Sequence, residues 1–158
     1  MAVFATLLVA GNLYAAESIV TPAMVGHWEG SARIIVSWCH QKSLPVAVDI
    51  HADGSVTGKI GDAILIGGRF DANRGWLGRK LNLATDYIIT GKLDGAIVVA
   101  EGITRDKIYI PLDLNDNTFV GGINTSGSLC VFSSEKTMKE KMGFSARSLK
   151  LIRSKSSP

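Results

Sequence analysis

Few residues in this sequence have the type and spacing that catalysis or metal binding requires. His27 and Glu29 lie two residues apart, a spacing that places both side chains on one face of a β-strand. Two ligands are fewer than a protein metal site normally uses. His51 precedes a turn and His40 follows Cys39, and the sequence does not show that either converges with His27. The sequence therefore predicts no metal site, and we expect the histidines to be exposed to solvent.

The pairing of a nucleophile with a base that hydrolases use is also missing from the sequence. The chain contains no Gly-x-Ser-x-Gly turn and no glycine-rich phosphate loop. Asp62, Asp86 and Asp106 stand near turns and are interpreted as turn formers. We therefore predict a non-enzymatic protein with no catalytic residue and no cofactor.

The two cysteines, Cys39 and Cys130, could form a covalent link. An even number of cysteines in an exported chain favours a disulfide, whereas buried free thiols are the alternative. The predicted disulfide between Cys39 and Cys130 therefore depends on export.

The prediction of export is based on the first residues of the chain. Residues 1–16 form an apolar segment that ends in Ala15 and Ala16, as the hydrophobic region and cleavage site of a secretory signal do. No Lys or Arg precedes the apolar run, so a buried first strand or helix is the alternative. We expect an exported protein, periplasmic or extracellular, in which residues 17–25 are a linker.

The elements that position these residues are predicted by alternation with a period of two, which dominates from Gly26 onward. Successive side chains of a strand point to opposite faces, so this period indicates half-buried strands. The first strand places one set on a common face: Trp28, Gly30, Ala32, Ile34, Val36 and Trp38.

Turn residues separate the later strands. Asp53-Gly54 predicts a tight hairpin, and Asp94-Gly95 predicts a second hairpin that returns through Ile97 to Ile103. Another strand is predicted from Ile64, Ile66, Gly68 and Phe70. Pro111 lacks an N–H group, so we expect a bulge or a local gap in the pairing of its strand.

Together these patterns predict an all-β fold, an antiparallel up-and-down meander of about 8–10 strands that closes into a barrel. The barrel domain is predicted over residues 26–153, with a disordered tail at 154–158. One short helix, Ser134–Met142, is expected before the last strand.

Closure of the barrel brings the two ends of the domain together. The first and last strands of an even-numbered meander pair antiparallel, so Trp28 lies beside Arg153. Arg153 shares its strand face with Leu149 and Leu151, and we hypothesise that its guanidinium covers the indole as a barrel-closing cation–π pair.

The Gly26-x-Trp28 sequence on the first strand, with a basic residue late in the last strand, resembles the pattern of lipocalins and the wider calycin group. The resemblance extends over the mature chain in architecture and over a few residues in motif. It implies a barrel with an internal apolar site. The sequence departs from true lipocalins because it lacks a long helix and ends directly after the last strand.

Two functions follow from such a barrel. The first is binding of a small apolar or amphipathic ligand in the interior, with four candidate lining residues: Trp38, Phe70, Trp76 and Phe119. The second is a structural or protein-interaction role in the cell envelope, with an interior filled by Trp28, Trp38, Phe70 and Phe119. A continuous cavity of about 300 Å3 or more would favour the first function.

The formal net charge of +3 is unevenly distributed, because basic residues outnumber acidic ones from residue 135 to the end. Such a region predicts weak contact with anionic surfaces, and a solvated surface is the alternative. We expect no specific binding to nucleic acid.

Overall fold

The structure, a computed structural model, describes residues 19–73, 85–125 and 144–154. The strands in these ranges are β1 Gly26–Ile34, β2 Ser43–Ile50, β3 Ser55–Ile60, β4 Ala63–Ala72, β5 Tyr87–Asp94, β6 Ala96–Val98, β7 Ile103–Thr104, β8 Lys107–Asn115, β9 Thr118–Thr125 and β10 Ser145–Arg153. A 3₁₀ turn, Val99–Glu101, joins β6 to β7. No helix in these ranges has the length and apolar character needed to cross a membrane.

Eight strands close into an antiparallel barrel in the order β1-β10-β9-β8-β5-β4-β3-β2. Neighbours around the barrel are successive along the chain, apart from β6 and β7, which pair in a separate two-stranded sheet. The predicted all-β, up-and-down barrel is confirmed. The predicted helix Ser134–Met142 lies outside the described residues, as do residues 1–16 and 155–158.

The first and last strands form the seam that closes the barrel. Trp28 pairs with Arg153 and Gly30 with Leu151, which confirms the predicted antiparallel pairing. The two backbones approach so closely that a Cβ atom on Gly30 would lie 1.8 Å from the carbonyl oxygen of Lys150. Only glycine fits at this point of the seam.

Period-two alternation places one apolar set inside the barrel. On β1 the inward residues Trp28, Ala32 and Ile34 are buried. On β4 the inward set changes parity, because the register shifts between Ile66 and Arg69 at Gly67, whose φ is +59°. Ile64 and Ile66 consequently point outward, half exposed, whereas Gly68 and Phe70 point inward.

Pro111 interrupts one strand pairing without a bulge. Partners between β8 and β9 are recorded at Tyr109–Asn124 and next at Leu112–Gly121, with no change of register between them. Pairing with β5 continues through Ile88–Pro111. The missing N–H therefore produces the local gap, which is one of the two expected outcomes.

The second predicted hairpin is wrong. After Asp94-Gly95 the chain does not return along β5, and β8 takes the neighbouring place in the barrel instead. Ile97 and Val98 are consecutive and both fully buried, which a half-exposed barrel strand would not permit. The segment turns away from the wall and folds on itself through β6 and β7.

Candidate functional site

Four aromatic rings fill the end of the barrel at which β1 begins and β10 ends, here called the aromatic end. The Trp28 and Phe119 ring centroids are 4.5 Å apart, those of Phe70 and Phe119 5.7 Å, and those of Phe70 and Tyr87 5.2 Å. These separations are typical of favourable aromatic pairs. Trp28 and Phe119 are almost completely buried, so these rings lie inside the barrel.

The segment before β1 covers the aromatic end. Trp28 donates its indole N–H to the Met24 carbonyl oxygen at 2.8 Å, and both Val20 and Met24 are buried. The Arg153 guanidinium is exposed and donates from Nη2 to the Val25 carbonyl oxygen at 2.7 Å. The seam therefore brings Trp28 and Arg153 together as backbone partners, and a cation–π contact between them stays a prediction.

The opposite end, at which β1 ends and β10 begins, is the capped end. It is covered by the cap, residues 96–104, whose Ile97, Val98 and Ile103 belong to the same buried core as the barrel. Asp62, in the β3–β4 turn, fixes the cap twice. Its backbone N–H donates to the Ile97 carbonyl oxygen at 3.1 Å, and its carboxylate accepts from the Val99 N–H at 2.9 Å.

Glu101 in the cap holds the loop between β1 and β2. Its Oε1 accepts the Gln41 backbone N–H at 2.7 Å and the Cys39 thiol at 3.3 Å. His40 Nδ1 lies 3.5 Å from Glu101 Oε2. The Gln41 N–H is the main reason that the pKa of Glu101 is lowered, so the carboxylate stays ionised at neutral pH.

Cys39 is buried, and among the described residues its sulfur has no covalent partner. Burial, together with the thiol's hydrogen bond to Glu101, raises its pKa to about 11. A thiol that remains protonated at neutral pH is a poor nucleophile. Cys130, its predicted disulfide partner, lies outside the described residues, so the disulfide stays a prediction.

A buried cation lies over an indole at the capped end. The Arg105 guanidinium carbon is 5.8 Å from the centroid of the Trp38 ring, and Arg105 is 4% exposed. Burial lowers the pKa of Arg105. Trp38 also packs edge-on against Phe144, with 6.3 Å between ring centroids. Among the described residues, none accepts a hydrogen bond from the buried indole N–H of Trp38.

The predicted ligand-lining residues are divided between the two ends. Phe70 and Phe119 meet in the aromatic cluster, whereas Trp38 lies beyond the end of β1 at the capped end. Trp76 is outside the described residues. Inward aliphatic side chains such as Val48, Ile89 and Ile110 have no accessible surface, which leaves no water-sized space beside them.

Described residues border several open grooves on the outer wall. One of about 460 Å3 is bordered by Ile66, Tyr109, Lys92 and Lys107. A second, of about 420 Å3, runs across β1, β2 and β3. A third, also about 420 Å3, is bordered by residues at the end of β1 and by Lys42.

The histidines on the wall contact neighbouring polar groups. His27 Nδ1 lies 2.9 Å from Asp49 Oδ1, and His27 Nε2 lies 4.0 Å from Glu29 Oε2. His51 Nε2 lies 3.1 Å from Thr57 Oγ1. Within the described ranges, no three His, Cys, Asp or Glu side chains are grouped as a metal site would require.

Sequence reasoning missed Arg105 and Glu101. Glu101 lies within the segment for which the sequence predicts a returning strand, and Arg105 follows that segment. The residues that they contact are distant in the sequence. In comparisons with known proteins, no family model, no curated protein and no solved structure matches the chain.

Proposed function

We propose that this protein is a non-enzymatic structural or interaction barrel of the cell envelope, with a core filled by its own side chains and contacts confined to its outer surface. The aromatic cluster of Trp28, Phe70, Tyr87 and Phe119 carries the proposal, because these rings occupy the space that an interior ligand would need.

Both ends of the barrel support this proposal. Val20 and Met24 cover the aromatic end, and the cap buries Ile97 and Val98 at the other end. A ligand would have to displace one of these covers. The high pKa of the Cys39 thiol also argues against its use as a nucleophile.

Titration with a fluorescent fatty acid tests the filled interior. We expect no saturable binding to the natural protein. Phe119→Ala removes the central ring, so it should create a cavity, bind the probe and lower the free energy of unfolding by about 3–5 kcal/mol. Ile152→Ala, on the exposed face of β10, is the matched control and should change neither property.

One outcome would overturn the proposal. Saturable binding to the natural protein, abolished when Phe70→Trp adds volume to the interior, would establish an interior ligand site. Native mass spectrometry of protein recovered from its own host would then identify the retained molecule.

The envelope location rests on residues 1–16 and has its own test. Processing by a signal peptidase should yield a chain that begins at Ala16 or Glu17, measured by mass spectrometry of the protein from its host. A chain that retains residues 1–16 would contradict export through a cleaved signal.

A further inference from the structure

The outer wall at the β1–β10 seam carries a cluster of cations, here called the basic seam: Arg33, Lys42, Arg147 and Lys150. All four are exposed. Arg33 and Arg147 are direct register partners on adjacent strands, and Lys150 pairs with Ser31 on the same seam. Lys42 joins them because its backbone carbonyl accepts the Ile34 N–H at 2.9 Å.

These charges are not neutralised within the described part of the chain. No carboxylate there lies within 4.0 Å of Arg33, Arg147 or Lys150. Glu29 on β1 is the register partner of Ile152 and lies two residues from Ser31, the partner of Lys150, but its carboxylate is more than 4.0 Å from the Lys150 ammonium. Like charges directly opposite on neighbouring strands destabilise a sheet, so the Arg33–Arg147 pair has a folding cost that an anion would relieve.

Exposed apolar side chains border the same cluster. Ile35 is 42% exposed and Ile152 is 54% exposed. Ile35 directly follows β1 and donates its N–H to the Ser145 carbonyl oxygen, so it lies at the capped-end margin of the seam. Ile152 follows Lys150 on the outward face of β10.

We propose that the basic seam docks the protein on an anionic phospholipid membrane. This deepens the proposed function, on which it rests, by naming the partner of an outer surface. Cations attract the anionic headgroups, and the two isoleucines gain free energy by entering the interface. A single-stranded nucleic acid would instead require aromatic side chains for stacking, and the basic seam has none.

Co-sedimentation with vesicles tests the docking, with the full chain in every sample. We expect binding to vesicles that contain phosphatidylglycerol, weak binding to pure phosphatidylcholine, and release by salt. Each cation near an anionic surface contributes about fivefold in partitioning, so Arg33→Gln with Arg147→Gln should weaken binding about 25-fold. The N-terminal segment is the same in every variant, so it cannot produce this difference.

The opposite wall supplies a matched control. Lys92 and Lys107 are also direct register partners, on β5 and β8, and they border an apolar groove. Lys92→Gln with Lys107→Gln removes the same charge from the same kind of pair and should leave vesicle binding within about twofold, because that wall faces away from the membrane. Thermal unfolding should show that neither double variant is destabilised.

Three results would overturn the inference. The first is an equal loss of vesicle binding in both double variants, and the second is vesicle binding that does not depend on phosphatidylglycerol. The third is vesicle binding that Ile152→Ser leaves unchanged and that a soluble polyanion abolishes completely. The last would identify a polyanion as the partner. These results do not test the proposed function, which is overturned only by saturable binding of the fatty acid in the interior.

Discussion

At the scale of single residues, Cys39 shows how the surroundings determine what a reactive side chain can do. In the sequence it is one of two thiols and a candidate for covalent chemistry. In the structure its Sγ donates to a carboxylate and is fully buried. Burial and the hydrogen bond both favour the protonated form, so the reduced Cys39 thiol stays neutral at neutral pH.

The raised pKa of Cys39 predicts a loss of stability at alkaline pH. The unfolded thiol ionises near pH 9.0 and the folded thiol near pH 11, so its contribution is complete below pH 9.0 and is lost as the pH rises toward 11. The loss should be on the order of 3 kcal/mol, because each pKa unit corresponds to about 1.4 kcal/mol. Denaturant unfolding under reducing conditions measures it.

Two variants isolate this effect. Cys130→Ala provides the background, and Cys39→Ala in that background should show a flatter decline of unfolding free energy above pH 9.0. Parallel curves for the two proteins would refute the assignment.

The Arg105–Trp38 contact shows what the sequence cannot reveal at this scale. Arg105 is followed by Asp106 and Lys107, both exposed, and the run has the composition of an ordinary charged turn. Its burial arises because the chain leaves the barrel wall after Gly95 and brings Arg105 against an indole from another loop. No local sequence pattern predicts the contact between Arg105 and Trp38.

At the scale of elements, the cap depends on two carboxylates that reach across the capped end. Asp62 binds the cap from the β3–β4 turn, and Glu101 binds the β1–β2 loop from the cap. The cap buries the apolar side chains of Ile97, Val98 and Ile103, and the two carboxylates fix the position of the cap.

Removal of the Glu101 carboxylate should loosen the cap before the barrel. Glu101→Ala leaves the Gln41 N–H without its acceptor, and we expect a loss of about 1.5–3 kcal/mol. Hydrogen exchange should then accelerate at the amides of Gln41 and Val99 while core amides such as Ile110 stay protected. Glu101→Gln keeps an acceptor oxygen and should restore part of the protection. Uniform acceleration over the whole barrel would contradict a separate cap.

Local pattern predicted most strands because alternation and turn residues are local properties. The Asp53-Gly54 hairpin forms as expected, with Gly54 at φ +78° between β2 and β3. The direction of Ile64 and Ile66 could not be predicted, since one bulge residue, Gly67, reverses the parity of the strand. The sequence also could not predict that the chain leaves the barrel wall at Asp94-Gly95, because the same two residues are equally suited to a hairpin turn.

At the scale of the whole molecule, closure depends on the fit of two backbones at Gly30. Gly30→Ala places a Cβ atom 1.8 Å from a carbonyl oxygen, so β1 and β10 must separate locally. We expect the free energy of unfolding to fall by at least about 1–3 kcal/mol, measured by denaturant titration. Ser31→Ala, its exposed neighbour, should have little effect. Equal stability of Gly30→Ala and the natural protein would disprove this account of closure.

The seam also has a consequence for the order in which the chain folds. During synthesis residues 26–34 emerge well before their partners at 145–153, because all the other strands of the barrel lie between them in the chain. Until then the edge of β1 that faces β10 has unpaired N–H and C=O groups and can join another chain. Pairing across such a sequence distance is slow, since the loop-closure entropy is lost before contacts form. We therefore expect closure of the barrel to be a late step in folding, and a chain truncated before β10 should aggregate.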